Sequence, residues 1–363
     1  MKELTAETAS GSTDLGLVDC DIHVQPARPD TLRRHLPARW REHDELFGVM
    51  GPTGAAYPRA RPYAARTDSW PPSGAPPGTD LAFLRAQLLD AWQVSHGVLN
   101  PLLNAGSQRN LDFGAALASA INDWLIEEWL EPEPRLRGSI AVAHEDGELA
   151  AGEIRRVGRD PRFAQVLLPI RTAEPLGRRK YWPMFAAAVE MGLPIGIHVG
   201  GAGGWPVSGA GFHSFYFEDH SAWPAAYQTQ VTSLVCEGVF ERYPDLRIVL
   251  IEGGLAWMAS FMWRFDDAHR RLSAEVPELR RPPSEYIRRH FWVTTQPMEE
   301  PPRAEQFREL LGQIGMNDHL LFATDYPHWD FDAPDMALPA GLDPDLRRAI
   351  MAGNAHGLYR FTG

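Results

Sequence analysis

Eight short apolar runs, each followed by sequence of helical character, recur along the chain, and this alternation restricts its fold more than any other feature. The runs are 18–22, 97–100, 138–143, 163–168, 193–199, 246–251, 291–295 and 320–323. The fifth, LPIGIHV, is almost continuously apolar, as expected of a parallel strand covered on both faces. Between the runs lie amphipathic stretches such as Leu81, Leu84, Leu88 and Trp92, which form one stripe behind Asp80 as N-cap. Further helices are expected over 110–130, 181–191, 224–241 and 304–311. Eight strands alternating with helices predict an α/β fold, a (β/α)8 TIM barrel whose functional groups stand at the carboxyl ends of the strands.

Those ends carry polar residues. In VDCDIHVQP (18–26), Val18, Cys20 and Ile22 alternate with Asp19, Asp21 and His23. A carboxylate and an imidazole two apart on one strand face can both ligate a metal without bending the backbone. The fifth run delivers His198, the sixth Glu252, and the eighth Asp325 followed by His328. Each alone reads as an ordinary buried or capping residue, but together at one barrel mouth they read as metal ligands. Glu252 also suits a general base, His328 a partner that orients Asp325, and Asp19 a structural role.

Two segments interrupt the pattern. Residues 27–79, rich in Pro, Gly and Arg, far exceed the roughly 2–6 residues of an ordinary βα loop, which suggests an inserted lid or a plain surface excursion. The Arg59, Arg61 and Arg66 group in it reads as solvated surface. The stretch 200–224 (GGAGGWPVSGAGFHSFYFEDHSAWP) supplies Trp205, Phe215 and Trp223 as candidate walls of a substrate pocket, with His220 as a candidate catalytic residue and His213 beside it. Residues 1–16 read as a loose polar tail and 17–363 as one barrel.

Composition narrows the partners. A net charge of -12 over 363 residues disfavours nucleic acid and anionic membranes. No apolar run approaches the roughly 20 residues of a membrane helix. Cys20 and Cys236 are too few for a disulfide framework, so a cytoplasmic protein is expected. Trp257, Met258 and Trp263 could form a homo-oligomer interface, although core packing explains them more simply.

The blocks VDCDIHV, YWPMFAAAVEMGLPIGIHVGG, GVFERYPDLRIVLIEGG and LLFATDYPHWDF resemble those of the amidohydrolase-related family of metal-dependent barrels. The resemblance implies a divalent metal at the barrel mouth, with His198 and Asp325 among its ligands. Asp21-x-His23 replaces the wider family's His-x-His, a change also known among its decarboxylases. Glu252 stands where the mononuclear hydrolases and decarboxylases carry a histidine before the Gly pair. Three carboxylates overcharge one divalent ion, whereas two ions would balance them, and Asp21, His23, His198, Glu252, Asp325 and His328 make six donors. This variant resembles a branch with dinuclear iron, or iron–manganese, centres that hydroxylates unactivated carbon with dioxygen. The expectation is therefore a dinuclear non-haem iron monooxygenase acting on an apolar small molecule, possible secondary metabolism included, with dioxygen as co-substrate and an electron donor the sequence does not name. The alternative is a mononuclear zinc- or manganese-dependent hydrolase or decarboxylase in which Glu252 carries the proton.

Overall fold

The computed structural model describes residues 15–28, 30–50, 60, 62–201 and 206–361. Trp205, Arg59, Arg61 and tail residues 1–14 lie outside the described residues. Eight parallel strands form one sheet in chain order: β1 (Leu17–Ile22), β2 (Val94–Leu99), β3 (Leu136–Ala141), β4 (Phe163–Arg171), β5 (Ile195–Gly201), β6 (Ile248–Ile251), β7 (Phe291–Thr294) and β8 (Leu320–Leu321). Past β8 the chain returns to β1. Cys20 N–H donates to Phe322 O at 3.0 Å and His23 N–H to Tyr326 O at 2.7 Å, so the ring is drawn together at its seam.

Apolar residues cover both faces of the strands. Val18, Cys20, Val98, Ala164, Val249, Ile251 and Leu321 form one buried cluster with Ala355, Leu358 and Tyr359. Residues of five strands meet in this way only inside a ring, and the C-terminal residues plug one end of it. The larger cluster joins strands to the surrounding helices, with Ile195, Ile197, Ile248 and Leu250 packed against residues such as Phe185, Tyr227 and Met262. A polar layer crosses the interior. Ser139 Oγ and Gln165 Nε2 donate to Asn100 Oδ1 at 2.5 and 3.0 Å, and Tyr359 OH donates to Gln165 Oε1 at 3.0 Å.

The helix starts at 80 and 110 form as expected, with Asp80 accepting from Phe83 N–H and Asn110 from Phe113 N–H. The helix expected over 224–241 instead spans Tyr216–Cys236. Glu218 accepts the Ser214 and Phe215 N–H groups at 2.8 and 3.0 Å and caps it early, and Pro224 within it removes only one donor.

In the 27–79 segment, Leu36 and Trp40 pack on Phe113 and Ala120 of the helix Leu111–Leu125. Its later part lies along the loop after β8, where Arg66 N–H donates to Pro327 O and Trp329 N–H to Ala64 O. Met258 is core, whereas Trp263 is exposed. Among the described residues no helix is long and apolar enough to cross a membrane.

Candidate metal centre

Asp21, His23, His198 and Asp325, all buried, each offer a ligand atom, and these atoms lie within 4.8 Å of one another. His23 Nδ1 is 2.8 Å from Asn100 O, which assigns its proton to that nitrogen and turns Nε2 inward. Nε2 lies 2.9 Å from Asp325 Oδ1 and 3.2 Å from Asp21 Oδ1. His198 is oriented in the same way. Its Nδ1 bonds Val199 O at 2.7 Å, leaving Nε2 3.2 Å from Asp21 Oδ2 and 3.1 Å from Glu252 Oε2. Glu252, Asp325 and His328 form a second group that shares Asp325. His328 Nδ1 contacts Asp325 Oδ1 at 2.7 Å and its ring stacks on His23 at 4.5 Å.

The backbone bends sharply to present these carboxylates. Glu252 and Asp325 have φ values of +63° and +59°, left-handed conformations that are uncommon for a side-chain-bearing residue and often occur at functional sites. Near Glu252 the bend is held by its own N–H donating to Thr294 Oγ1 at 3.0 Å and by the Tyr227 hydroxyl donating to Ile251 O. Near Asp325 the clamp is Asp19, which accepts Thr324 N–H at 3.0 Å and Thr324 Oγ–H at 2.6 Å. Asp19 is thus part of the scaffold. Asn100 Nδ2 donates to Asp21 Oδ1 at 2.8 Å, so Asn100 holds both members of the β1 pair.

Charge in this dry cluster is uneven. Burial would raise the Asp21 carboxyl, but the His23 and His198 imidazoles outweigh it and hold the group well below the usual range. Asp325 is lowered too, since His328 and His23 overcome its burial. Burial would lower His23, but Asp21 and Asp325 bring it well above the ordinary imidazole value. Glu252 goes the other way: burial, then the charges of Asp325 and Asp21, push it well above the ordinary carboxyl value. His23 Nε2 and Glu252 Oε2 are buried without a hydrogen-bond partner. Orphaned polar atoms beside converging imidazole and carboxylate donors fit a divalent cation.

Two cavities flank the cluster. One, of about 200 Å³, is lined by Glu252, His220, Trp223, Met298 and Glu299 among others. His220 Nε2 is 3.1 Å from Asp330 Oδ2, and its ring is 4.3 Å from that of Trp223. The other, of about 230 Å³, runs from His198 along the ends of β2 to β5. Phe215 is 68% exposed at the start of its helix rather than walling a pocket, because the early helix start turns it outward. His213 lies 3.5 Å from Asp219 and away from the donor groups.

Sequence reasoning missed Asn100, Asp330 and Gln296, whose Nε2 donates to Asp330 O at 3.1 Å. Asn100 had a visible signal, since it ends the second apolar run as His198 ends the fifth.

Proteins of known activity resemble the chain over most of its length. The gamma-resorcylate decarboxylase of Polaromonas sp. (strain JS666) is 27% identical over 318 residues, 80% of this chain and 94% of that protein. The gamma-resorcylate decarboxylase of Rhodococcus jostii (strain RHA1) is 26% identical over 294 residues, 70% and 83% of the two. The fold matches that of 5-carboxyvanillate decarboxylase from Novosphingobium aromaticivorans, complexed with manganese and a nitrobenzoic acid, at a TM-score of 0.70 and 19% identity, covering 98% of this chain and 99% of that one. It also matches the dihydroxybenzoic acid decarboxylase of Polaromonas sp. JS666 with bound manganese at 0.66 and 20%, covering 94% and 96%.

These relatives overturn the expectation of a dinuclear iron monooxygenase. They are decarboxylases, and exchanging a carboxylate for hydrogen is redox-neutral, so neither dioxygen nor an electron donor has a place in such a reaction. The iron expectation also lacks support, because the solved relatives hold manganese. The monooxygenase expectation rested on Glu252 as a third ionised carboxylate, and burial with the charges of Asp325 and Asp21 pushes that carboxyl upward. An amidohydrolase family model matches residues 18–361, and the chain belongs to that family.

Proposed function

We propose that this protein is a divalent-metal-dependent decarboxylase acting on a hydroxylated aromatic acid. The observation that carries the reading is the similarity to two gamma-resorcylate decarboxylases over 80% and 70% of the chain. Asp21, His23, His198 and Asp325 would hold the ion, and manganese is favoured by the solved relatives and by a donor set without thiolate. Bound there, the ion supplies a Lewis acid that offsets the charge of the substrate carboxylate and a neighbouring oxygen.

The chain's own groups do the rest. Asn100 and the Val199 carbonyl fix both imidazoles so that Nε2 faces the ion. Glu252 would act as proton carrier, giving its proton to the ring carbon as that carbon loses CO2. His220, paired with Asp330 and lining the same cavity, returns a proton to Glu252 from solvent. Asp21 and Asp325 would balance the charge of a single divalent ion held by the first group. The group Glu252, Asp325 and His328 makes a metal count the direct check on a second. Residues 62–79, whose Ala65 bridges His328, would cover the mouth.

Manganese-loaded protein incubated anaerobically in D2O with 2,6-dihydroxybenzoate and a panel of hydroxybenzoates should release CO2 and place one deuterium on the ring. Absence of CO2 release across the panel overturns the reading.

A further inference from the structure

The cavity that runs from His198 has about 230 Å³ of room, and a cavity of about 150 Å³ already holds a benzene ring. Most of its lining is aliphatic, with Leu103, Val142 and Leu168 among the walls. Two of the buried lining residues carry polar side chains: His198, of the candidate metal group, and His144, just past the end of β3. A ring seated here therefore meets one imidazole where the cavity borders the metal group and another on the β3 wall. Glu252 stands outside this cavity but beside its His198 end, 3.1 Å from His198 Nε2.

His144 is held so that one of its nitrogens serves the wall. Nε2 is buried 3.5 Å from Glu145 Oε1, a residue that does not line the cavity. Glu145 is itself fixed by Lys180 Nζ at 2.7 Å, Ala173 N–H at 2.8 Å and the Tyr181 hydroxyl at 3.1 Å. Burial would raise its carboxyl, but the His144 imidazole and the Lys180 ammonium bring it down to about 2, so it is an ionised acceptor at neutral pH. The imidazole proton is thereby assigned to Nε2, and Nδ1 keeps a lone pair. Nδ1 lies against Gly106, which also lines the cavity: a Cβ there would stand 1.9 Å away, so the glycine leaves that edge of the imidazole uncovered.

We infer that His144 recognises a ring hydroxyl remote from the carboxylate: the carboxylate of the bound acid is drawn to the His198 end, the ring lies between the aliphatic walls, and the remote hydroxyl donates to His144 Nδ1. The inference rests on the decarboxylase reading for the orientation of the acid and goes beyond it, because both hydroxyls of 2,6-dihydroxybenzoate flank its carboxylate and leave the far edge of the ring bare. A 4-hydroxyl points directly away from the carboxylate and can reach a second polar wall. Against an apolar substituent the buried lone pair would stay unpaired, which separates two ligands of equal size by roughly 10–100-fold.

Binding calorimetry on manganese-loaded protein compares 2,4-dihydroxybenzoate with 2-hydroxy-4-methylbenzoate, which match in size and differ in the donor. Wild type should favour the dihydroxy acid by roughly 10–100-fold, and both His144→Ala and His144→Phe, the second keeping a ring in place, should bring the ratio close to one. A purely structural histidine would lower both affinities together and leave the ratio where it was. A wild-type ratio near one, a ratio retained by either variant, or no binding of either acid overturns the inference. Release of CO2 is scored separately: if no hydroxybenzoate loses CO2 the decarboxylase reading fails, and the affinity ratio alone still decides the inference.

Discussion

His23 Nε2, from the end of β1, stands 2.9 Å from Asp325 Oδ1, from the turn after β8. The first and last strands therefore meet at the candidate metal centre, and each holds the other's donor in place. Because Asn100 supports the β1 side of this contact through both Asp21 and His23, its loss should be felt at the metal.

Asn100→Ala should weaken manganese affinity roughly 10–100-fold, the usual cost of losing a group that orients metal ligands. Metal retained after dialysis against graded chelator measures this directly. Retention equal to wild type would count against Asn100 as a ligand support.

Glu252→Gln keeps the side-chain shape and removes the proton. It should leave metal content intact while lowering kcat by roughly 10²–10⁴-fold, the range for a lost general acid. Glu252→His, which puts another proton carrier at the same position, should recover much of that loss. Both are read from CO2 release beside a metal assay.

Gly106→Ala would drive a Cβ into His144 Nδ1 at 1.9 Å. The imidazole must then move into the cavity beside His198, so KM should rise more than kcat falls. Overpacking of this kind costs about 1–3 kcal/mol, measurable by urea unfolding.

Glu133 tests stability away from the centre. The Arg135 guanidinium, against the effect of burial and with help from Arg85, lowers its carboxyl from 4.5 to about 2. A depressed folded-state value means the contribution is complete above pH 4.5 and is lost as pH falls through about 2. Wild type should exceed Glu133→Gln in unfolding free energy at pH 7, and the gap should close over that acid window.

The barrel was legible because its strands are short apolar runs that end in polar residues, and periodicity alone places Asp21, His23, His198, Glu252 and Asp325 at one mouth. Supports were harder to read. Asp330 acts through partners remote in sequence, and nothing local distinguishes it from an ordinary polar residue. Pro224 was read as a helix start, yet Glu218 capping Ser214 and Phe215 begins that helix earlier. The largest error came from counting charge by residue type. A buried carboxyl between two ionised neighbours can balance itself by keeping its proton, and a tally of Asp and Glu cannot show this.

The seam between the strands sets when the centre can exist. Asp19 and Thr324, 305 positions apart, must join before the turn carrying Asp325 is set. A ribosome-bound chain still lacking the turn after β8 would hold three of the four clustered donors, so tight ion capture would wait until Asp325 joins them. Metal uptake in a synthesis reaction would thus serve as a clock for completion of the ring.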